Sequence, residues 1–440
     1  MRRACLVSVL PWTLLALTAC SEESVETDEP KPQEEEVEIE YLSATDHLVR
    51  ASMALRGKRP SYDELVRVSE DPDALNEIVD EYLASADFGR TVRDLYNEAL
   101  LLRPDWAYYP AGFPRVAPLM TLDQSAINAS VQEAPLKLIE HVVMNDLPLS
   151  EIVTAPYTIT DSVAATVWDL DYQEGGDTWQ KSEWTDGRGN AGILTDSWLY
   201  VRWQSTPSNA NRGRANALSR GLLCYDFLSR DVELDTTVNV ADPNAVQDAV
   251  QANSACASCH QALDPFAAFM KDVYPIVVVA DTETYPAQNM WLPGAFETYL
   301  QIEMREPALF GKPGETLEDL GRLMADDPRF SLCAAQRFYA YLNHVEIEDV
   351  PLERASELQE VLIDSGMNAK ALAKAVVLSD DFRASHTGGD AGADELVGMK
   401  RARPDELATM FEDLTGFVWK TDLSAISGGD IGVVELPRDS

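Results

Sequence analysis

The pentapeptide Cys256-Ala257-Ser258-Cys259-His260 constrains this chain more than any other stretch. The chain holds six cysteines and five histidines in 440 residues. At that content the pattern arises by chance in about one such chain in a thousand, so the spacing is a strong signal. C-x-x-C-H is the attachment sequence for c-type haem. The thiols add across the porphyrin vinyl groups as thioethers, and the adjacent imidazole becomes an axial ligand of the iron. The expected fold is therefore built around one covalent haem c held by Cys256, Cys259 and His260. Two other uses of the thiols stay open. A zinc site would need two more ligands, for which Cys224 and Cys333 are available. A disulfide between Cys256 and Cys259 is the other, although nothing nearby reads as the βαβ setting of a thioredoxin-like site.

The compartment is read from the N-terminus. Arg2 and Arg3 precede an apolar run from Leu6 to Leu17 that is too short to remain as a membrane span. The run closes on Leu17-Thr18-Ala19-Cys20, which resembles the bacterial lipobox, where the leader is cut before the cysteine and the new N-terminus is acylated. A plain cleaved signal peptide is the alternative. Acyl chains on Cys20 would anchor the protein without a spanning helix. Ser21 stands where inner-membrane lipoproteins often carry Asp, so an outer-membrane lipoprotein facing the periplasm or the cell surface is expected. No later stretch is apolar enough to span a bilayer. The periplasm is oxidising and is where bacterial haem c is attached. Cleavage removes Cys5 and lipidation uses Cys20. If haem takes Cys256 and Cys259, then Cys224 and Cys333 remain as a natural disulfide pair.

The formal charge of −39 argues against a nucleic-acid partner, because phosphate would be repelled over most of the surface. Residues 21–40 are so rich in Glu and Asp, and so poor in apolar residues, that an extended tether is expected. From Ser43 the period becomes helical. Gly57 is a helix stop, and Ser61 with Glu64 forms a capping box. Leu75, Ile78, Val79 and Tyr82 make one apolar stripe, and Val92, Leu95, Tyr96, Ala99 and Leu100 another. A Pro/Tyr/Trp-rich stretch from Pro104 to Pro118 closes this unit, and a further helix covers about 124–145.

Residues 155–205 are rich in Thr, Val, Tyr and Trp and are broken by glycines, which suggests loops with short strands. Their Trp168, Trp179, Trp184, Trp198 and Trp203 suit core packing better than the wall of a haem or sugar pocket. A helix is expected over about 208–228, with Arg212, Arg214 and Arg220 as partners for haem propionates or for the chain's own carboxylates. Pro265 is read as the start of a short helix running to Met270. Residues 275–313 read as irregular. Helical periods return from Leu317, residues 387–394 read as a linker, and a last helix runs from near Pro404 to Gly416. For the sixth iron position Met270 is the first candidate, although a packing methionine is the stronger reading. His47, His141, His344 and His386 are the other side chains of the right type. No Ser-His-Asp set, phosphate loop or metal-hydrolase spacing is present.

Several stretches resemble the secreted planctomycete-type cytochrome c proteins, multi-domain proteins of unknown function with one C-x-x-C-H motif, found in planctomycetes and myxobacteria. Gly57-Lys58-Arg59-Pro60-Ser61 and the run from Tyr82 to Gly89 resemble the N-terminal domain of that family. Asn145-Asp146-Leu147-Pro148 and Ile152 to Tyr157 are similar to a second hallmark, and Gly192-Ile193-Leu194-Thr195 with Arg212 to a third. The haem motif with Leu263-Asp264-Pro265 looks like the family's centre. Asp327-Pro328-Arg329-Phe330 and Asn368 to Phe382 look like its C-terminal domain. The chain departs from the family pattern over Phe266 to Lys271, and at Val250, where some members carry a histidine. The resemblance spans most of 43–385 and implies a mainly helical, secreted, mono-haem protein.

The expected fold is thus mainly α, with several helical subdomains and an irregular, loop-rich, partly β middle segment. The expected divisions are a leader (1–19), an acidic tether (20–42), an N-terminal helical domain (43–120) and a haem c domain (121–313). A C-terminal helical domain (314–386) and a linker with a last helical segment (387–440) follow. The expected activity is that of a membrane-anchored mono-haem cytochrome passing electrons to or from a secreted redox or enzyme partner. A peroxidase-like enzyme with an open sixth site and a haem-stabilised scaffold of a cell-surface complex are the alternatives.

Overall fold

A computed structural model describes residues 39–103, 119, 122, 124–229, 238–239, 242–275, 291–387, 403–418, 420–422 and 433–435. The leader, Cys20, most of the acidic tether, the Pro104–Pro118 stretch and the linker at 388–402 lie outside the described residues. The chain is mainly helical with small two-stranded sheets. Among the described residues no helix is long and apolar enough to cross a membrane.

Four helices open the fold: α1 (Ala44–Arg56), α2 (Tyr62–Glu70), α3 (Ala74–Leu83) and α4 (Ala86–Leu100). Their ends follow local chemistry. Gly57 closes α1 in the left-handed conformation, and Ser61 and Glu64 form a reciprocal capping box on α2. The expected stripes are buried, from Leu75 to Tyr82 and from Val92 to Leu100. The long α5 (Gln124–Met144) packs along α4 and runs through Pro135 without a break.

The expected loops and short strands of 155–205 are present, with short helices among them. The short helices α6 (Glu151–Thr154), α7 (Ser162–Trp168) and α8 (Ser197–Arg202) alternate with β1 (Thr158–Thr160) and β2 (Gln180–Ser182), which pair antiparallel. Residues 192 and 321 can only be glycine here. A Cβ on Gly192 would lie 2.2 Å from the Ile152 carbonyl oxygen, and one on Gly321 would lie 2.0 Å from that of Val153. The backbone of α6 is thus pressed from two sides.

Then come α9 (Arg212–Leu223), α10 (Pro243–Ala252) and α11 (Ser254–Ala268). Pro265 lies inside α11 and does not start a separate helix. Its missing N–H removes one bond to the preceding turn, but buried Leu263, Phe266 and Ala267 hold the flanks in register. The helix expected at 208–228 is shorter, because Asn211 and Cys224 both take left-handed φ values and bound α9. A small hairpin, β3 (Ala308–Leu309) with β4 (Lys312–Pro313), precedes the C-terminal helices. These are α12 (Leu317–Ala325), α13 (Pro328–Asn343), α14 (Leu352–Asp364), α15 (Ala369–Val377) and α16 (Asp380–Arg383), followed by α17 (Pro404–Thr415), which Gly416 stops.

One contiguous hydrophobic core runs from Leu48 to Phe382 across the expected divisions at 120 and 313. Helix α9 sits at its centre, against α4, α11 and α13. Its buried Arg214 bonds the carbonyls of Tyr200, Trp203, Val273, Tyr274 and Pro275, together with Asn211 Oδ1. This one guanidinium ties three separate chain segments, and burial lowers its pKa to about 9.

Candidate haem attachment site

The C-x-x-C-H sequence forms the first two turns of α11. Asn253 caps the helix, its side-chain oxygen accepting from the Ala255 amide at 3.0 Å, so the turn that carries Cys256 has a fixed start. Helical spacing places Cys256 and Cys259 on one face. Both thiols are free and half-buried. Cys259 Sγ lies 3.9 Å from the Phe227 carbonyl oxygen. Phe227 belongs to an aromatic group in which Tyr225 meets it edge-on at 4.9 Å and Phe310 stacks on it at 5.9 Å. Arg329 lies over the Phe310 ring, 3.4 Å from its centre.

His260 is followed one helical turn later by Asp264, and its Nδ1 stands 2.8 Å from Asp264 Oδ1. The same carboxylate accepts from Arg212 Nε at 2.6 Å and Nη2 at 3.2 Å, and Arg305 Nε lies 3.7 Å away. Asp264 is buried; burial alone would raise its pKa. Hydrogen bonds from His260 and Arg212, with the charge of Arg212, overcome this and hold it at about 2. An ionised carboxylate only accepts, so the proton of a neutral His260 belongs on Nδ1 and the lone pair on Nε2. Among the described residues no hydrogen bond engages Nε2. This is the tautomer and second-sphere partner that metal-bound histidines use, so the residues present fit a c-type haem.

The other sequence candidates are placed as follows. Cys224 and Cys333 form a disulfide, with Sγ atoms 2.05 Å apart, joining the end of α9 to α13. This removes the two sulfurs that a zinc site with Cys256 and Cys259 would have needed. Among the described residues no group of three or more His, Cys, Asp or Glu side chains is arranged to hold a metal. Met270 is fully buried in the core. It lies ten residues beyond His260, nearly all of them along one helix, a rise of about 15 Å. There it packs in the main hydrophobic cluster. His47 bonds the Val377 carbonyl at 2.7 Å, His344 faces Glu406 at 3.2 Å and His386 faces Glu40 at 3.1 Å. His141 pairs with Asn145 and meets the edge of Tyr157.

The three arginines of α9 part company. Arg212 holds Asp264, Arg214 clamps backbone carbonyls, and exposed Arg220 lies near the Trp203 ring. The tryptophans pack. Trp198 and Trp203 donate to the carbonyls of Leu102 and Leu100, Trp168 meets Trp184, and Trp179 lies near Lys137. Arg305 had no distinguishing sequence signal; only the fold brings it to Asp264.

No protein-family model, curated protein or solved structure matches this chain.

Proposed function

We propose that this protein is a lipid-anchored, mono-haem c-type cytochrome that passes electrons at the outer membrane, to or from a secreted redox partner. The observation that carries this reading is the helical Cys256–Cys259–His260 set, with the imidazole oriented by Asp264. Cys256 and Cys259 would hold the haem through thioethers, and His260 Nε2 would ligate its iron. The haem supplies a one-electron couple when bound. The chain's own residues do the rest. Asp264 and Arg212 fix the ring plane and tautomer of His260. The planctomycete-type resemblance, the lipobox-like leader and the disulfide all agree with an oxidising compartment. The set of divisions around a haem domain at 121–313 belongs to the same proposal.

The test is expression with the c-type maturation machinery in a bacterial periplasm. The expected result is one haem per chain by pyridine haemochrome, a matching covalent mass increase, and loss of both in Cys256→Ala/Cys259→Ala. A full-length chain whose mass carries no adduct would falsify the reading.

A further inference from the structure

Asp264 has more than one partner, and the partners pull in opposite directions. Its Oδ1 takes both the His260 Nδ1 contact at 2.8 Å and the Arg212 Nε bond at 2.6 Å. Its Oδ2 takes Arg212 Nη2 at 3.2 Å, with Arg305 Nε at 3.7 Å. Spacing of four residues on a rigid helix sets the imidazole–carboxylate pair without any loop adjustment. Arg212 is the first residue of α9, where the helix dipole disfavours a cation, so the pairing with Asp264 accounts for its place. Arg212 and Arg305 come from separate parts of the chain, yet both reach this one carboxylate.

We infer that Asp264 is a positioning and tuning residue for the proximal ligand, and that Arg212 sets how strongly it acts. This inference rests on the haem reading above. A carboxylate accepting from Nδ1–H pushes electron density through the ring to Nε2, which makes the imidazole a stronger donor and favours the oxidised iron. A guanidinium sharing the same oxygen withdraws part of that density. The two residues therefore act on one potential with opposite signs. The couple is a single electron, supplied by an electrode in the test; the Nδ1 proton stays on the ring and no bond to Asp264 breaks.

The experiment is spectroelectrochemical titration of the haem-loaded full chain beside Asp264→Asn and Arg212→Gln, with the iron–histidine stretch of the reduced protein read by resonance Raman. Asp264→Asn is expected to raise the midpoint at least tenfold in the one-electron equilibrium, about 59 mV, and to lower the stretching frequency. Arg212→Gln is expected to move both readouts the opposite way. Loosened packing would not produce opposite signs, so the pair separates tuning from structural damage. If Asp264→Asn does not take up haem, Arg212→Gln alone decides. Unchanged readouts in both variants, or shifts of the same sign, overturn the inference while leaving the haem reading intact. A wild-type chain that never acquires haem overturns both.

Discussion

Two arginine–carboxylate clusters in this molecule look alike in composition and differ in closure. Between α4 and α5, Glu133 is 5% exposed and accepts from Arg93 at 2.7 Å and Arg103 at 2.9 Å. Arg103 also holds Asp94 at 2.5 Å, and Arg93 reaches Glu140 at 3.0 Å. Each charged group there answers another charge, and the cluster joins two helices. Around α11, Asp264 also has arginine partners, but one of its contacts is an imidazole whose second nitrogen points onward to no hydrogen bond among the described residues. A closed cluster binds helices together. An open-ended one leaves an atom prepared for something else.

The comparison can be broken most directly at Glu133. Its pKa is lowered because the two arginines, Arg103 first, overcome the cost of burial. Glu133→Ala removes the buried carboxylate that Arg93 and Arg103 share and should cost about 3–5 kcal/mol in urea unfolding. Asp264→Ala, whose arginines are partly open to water, should cost closer to 1 kcal/mol. Equal losses would remove the distinction between the two clusters.

The second test concerns what anchors α9, since Arg212 holds its start and Cys224 its end. The disulfide closes a separation of 109 residues. Replacing Cys224 and Cys333 together by serine should lower unfolding stability by about 2–4 kcal/mol. Haem uptake at α11 should survive. Failure of uptake would mean that the covalent link, rather than the polar cluster, positions the site.

The last test sharpens the contrast from a carboxylate that makes no ion pair among the described residues. Asp196 is buried, capping α8 by accepting from the Trp198 amide at 2.8 Å. Burial raises its pKa to about 7, with the Trp198 amide and Arg188 opposing only in part. The folded state then holds a proton that the unfolded chain, with an ordinary carboxyl near 3.9, has released. Stability from this group falls as pH rises from about 4 to about 7 and is level above. Asp196→Asn keeps the cap and should flatten that slope, so that stability at pH 8 no longer falls below that at pH 4. A slope that persists in the variant would place the titration elsewhere.

Much of the helical frame was legible because it is written locally. Gly57, the Ser61–Glu64 box, the Leu75–Tyr82 stripe and Gly416 act through neighbours three or four residues away, and the structure uses each where the period put it. Local rules failed where burial outweighed them. Pro265 reads as a helix start, yet it sits inside α11 because its apolar neighbours are buried on the core side. The Thr- and Trp-rich middle reads as loops with short strands, and the paired β1 and β2 are there, yet α7 and α8 also form within it.

For the proposed site, the sequence by itself determined which side chains are candidates to hold the haem. Two thiols and an imidazole at fixed spacing need only one helix to converge, and cysteine counting left Cys224 and Cys333 for each other. What only the tertiary structure decided is how His260 is held. Asp264 is near in sequence, but Arg212 is 52 residues before it and Arg305 reaches it from the chain beyond. Such a junction depends on the packing of α9 against α11, because charge pairing across long separations leaves no period or spacing in the sequence to read.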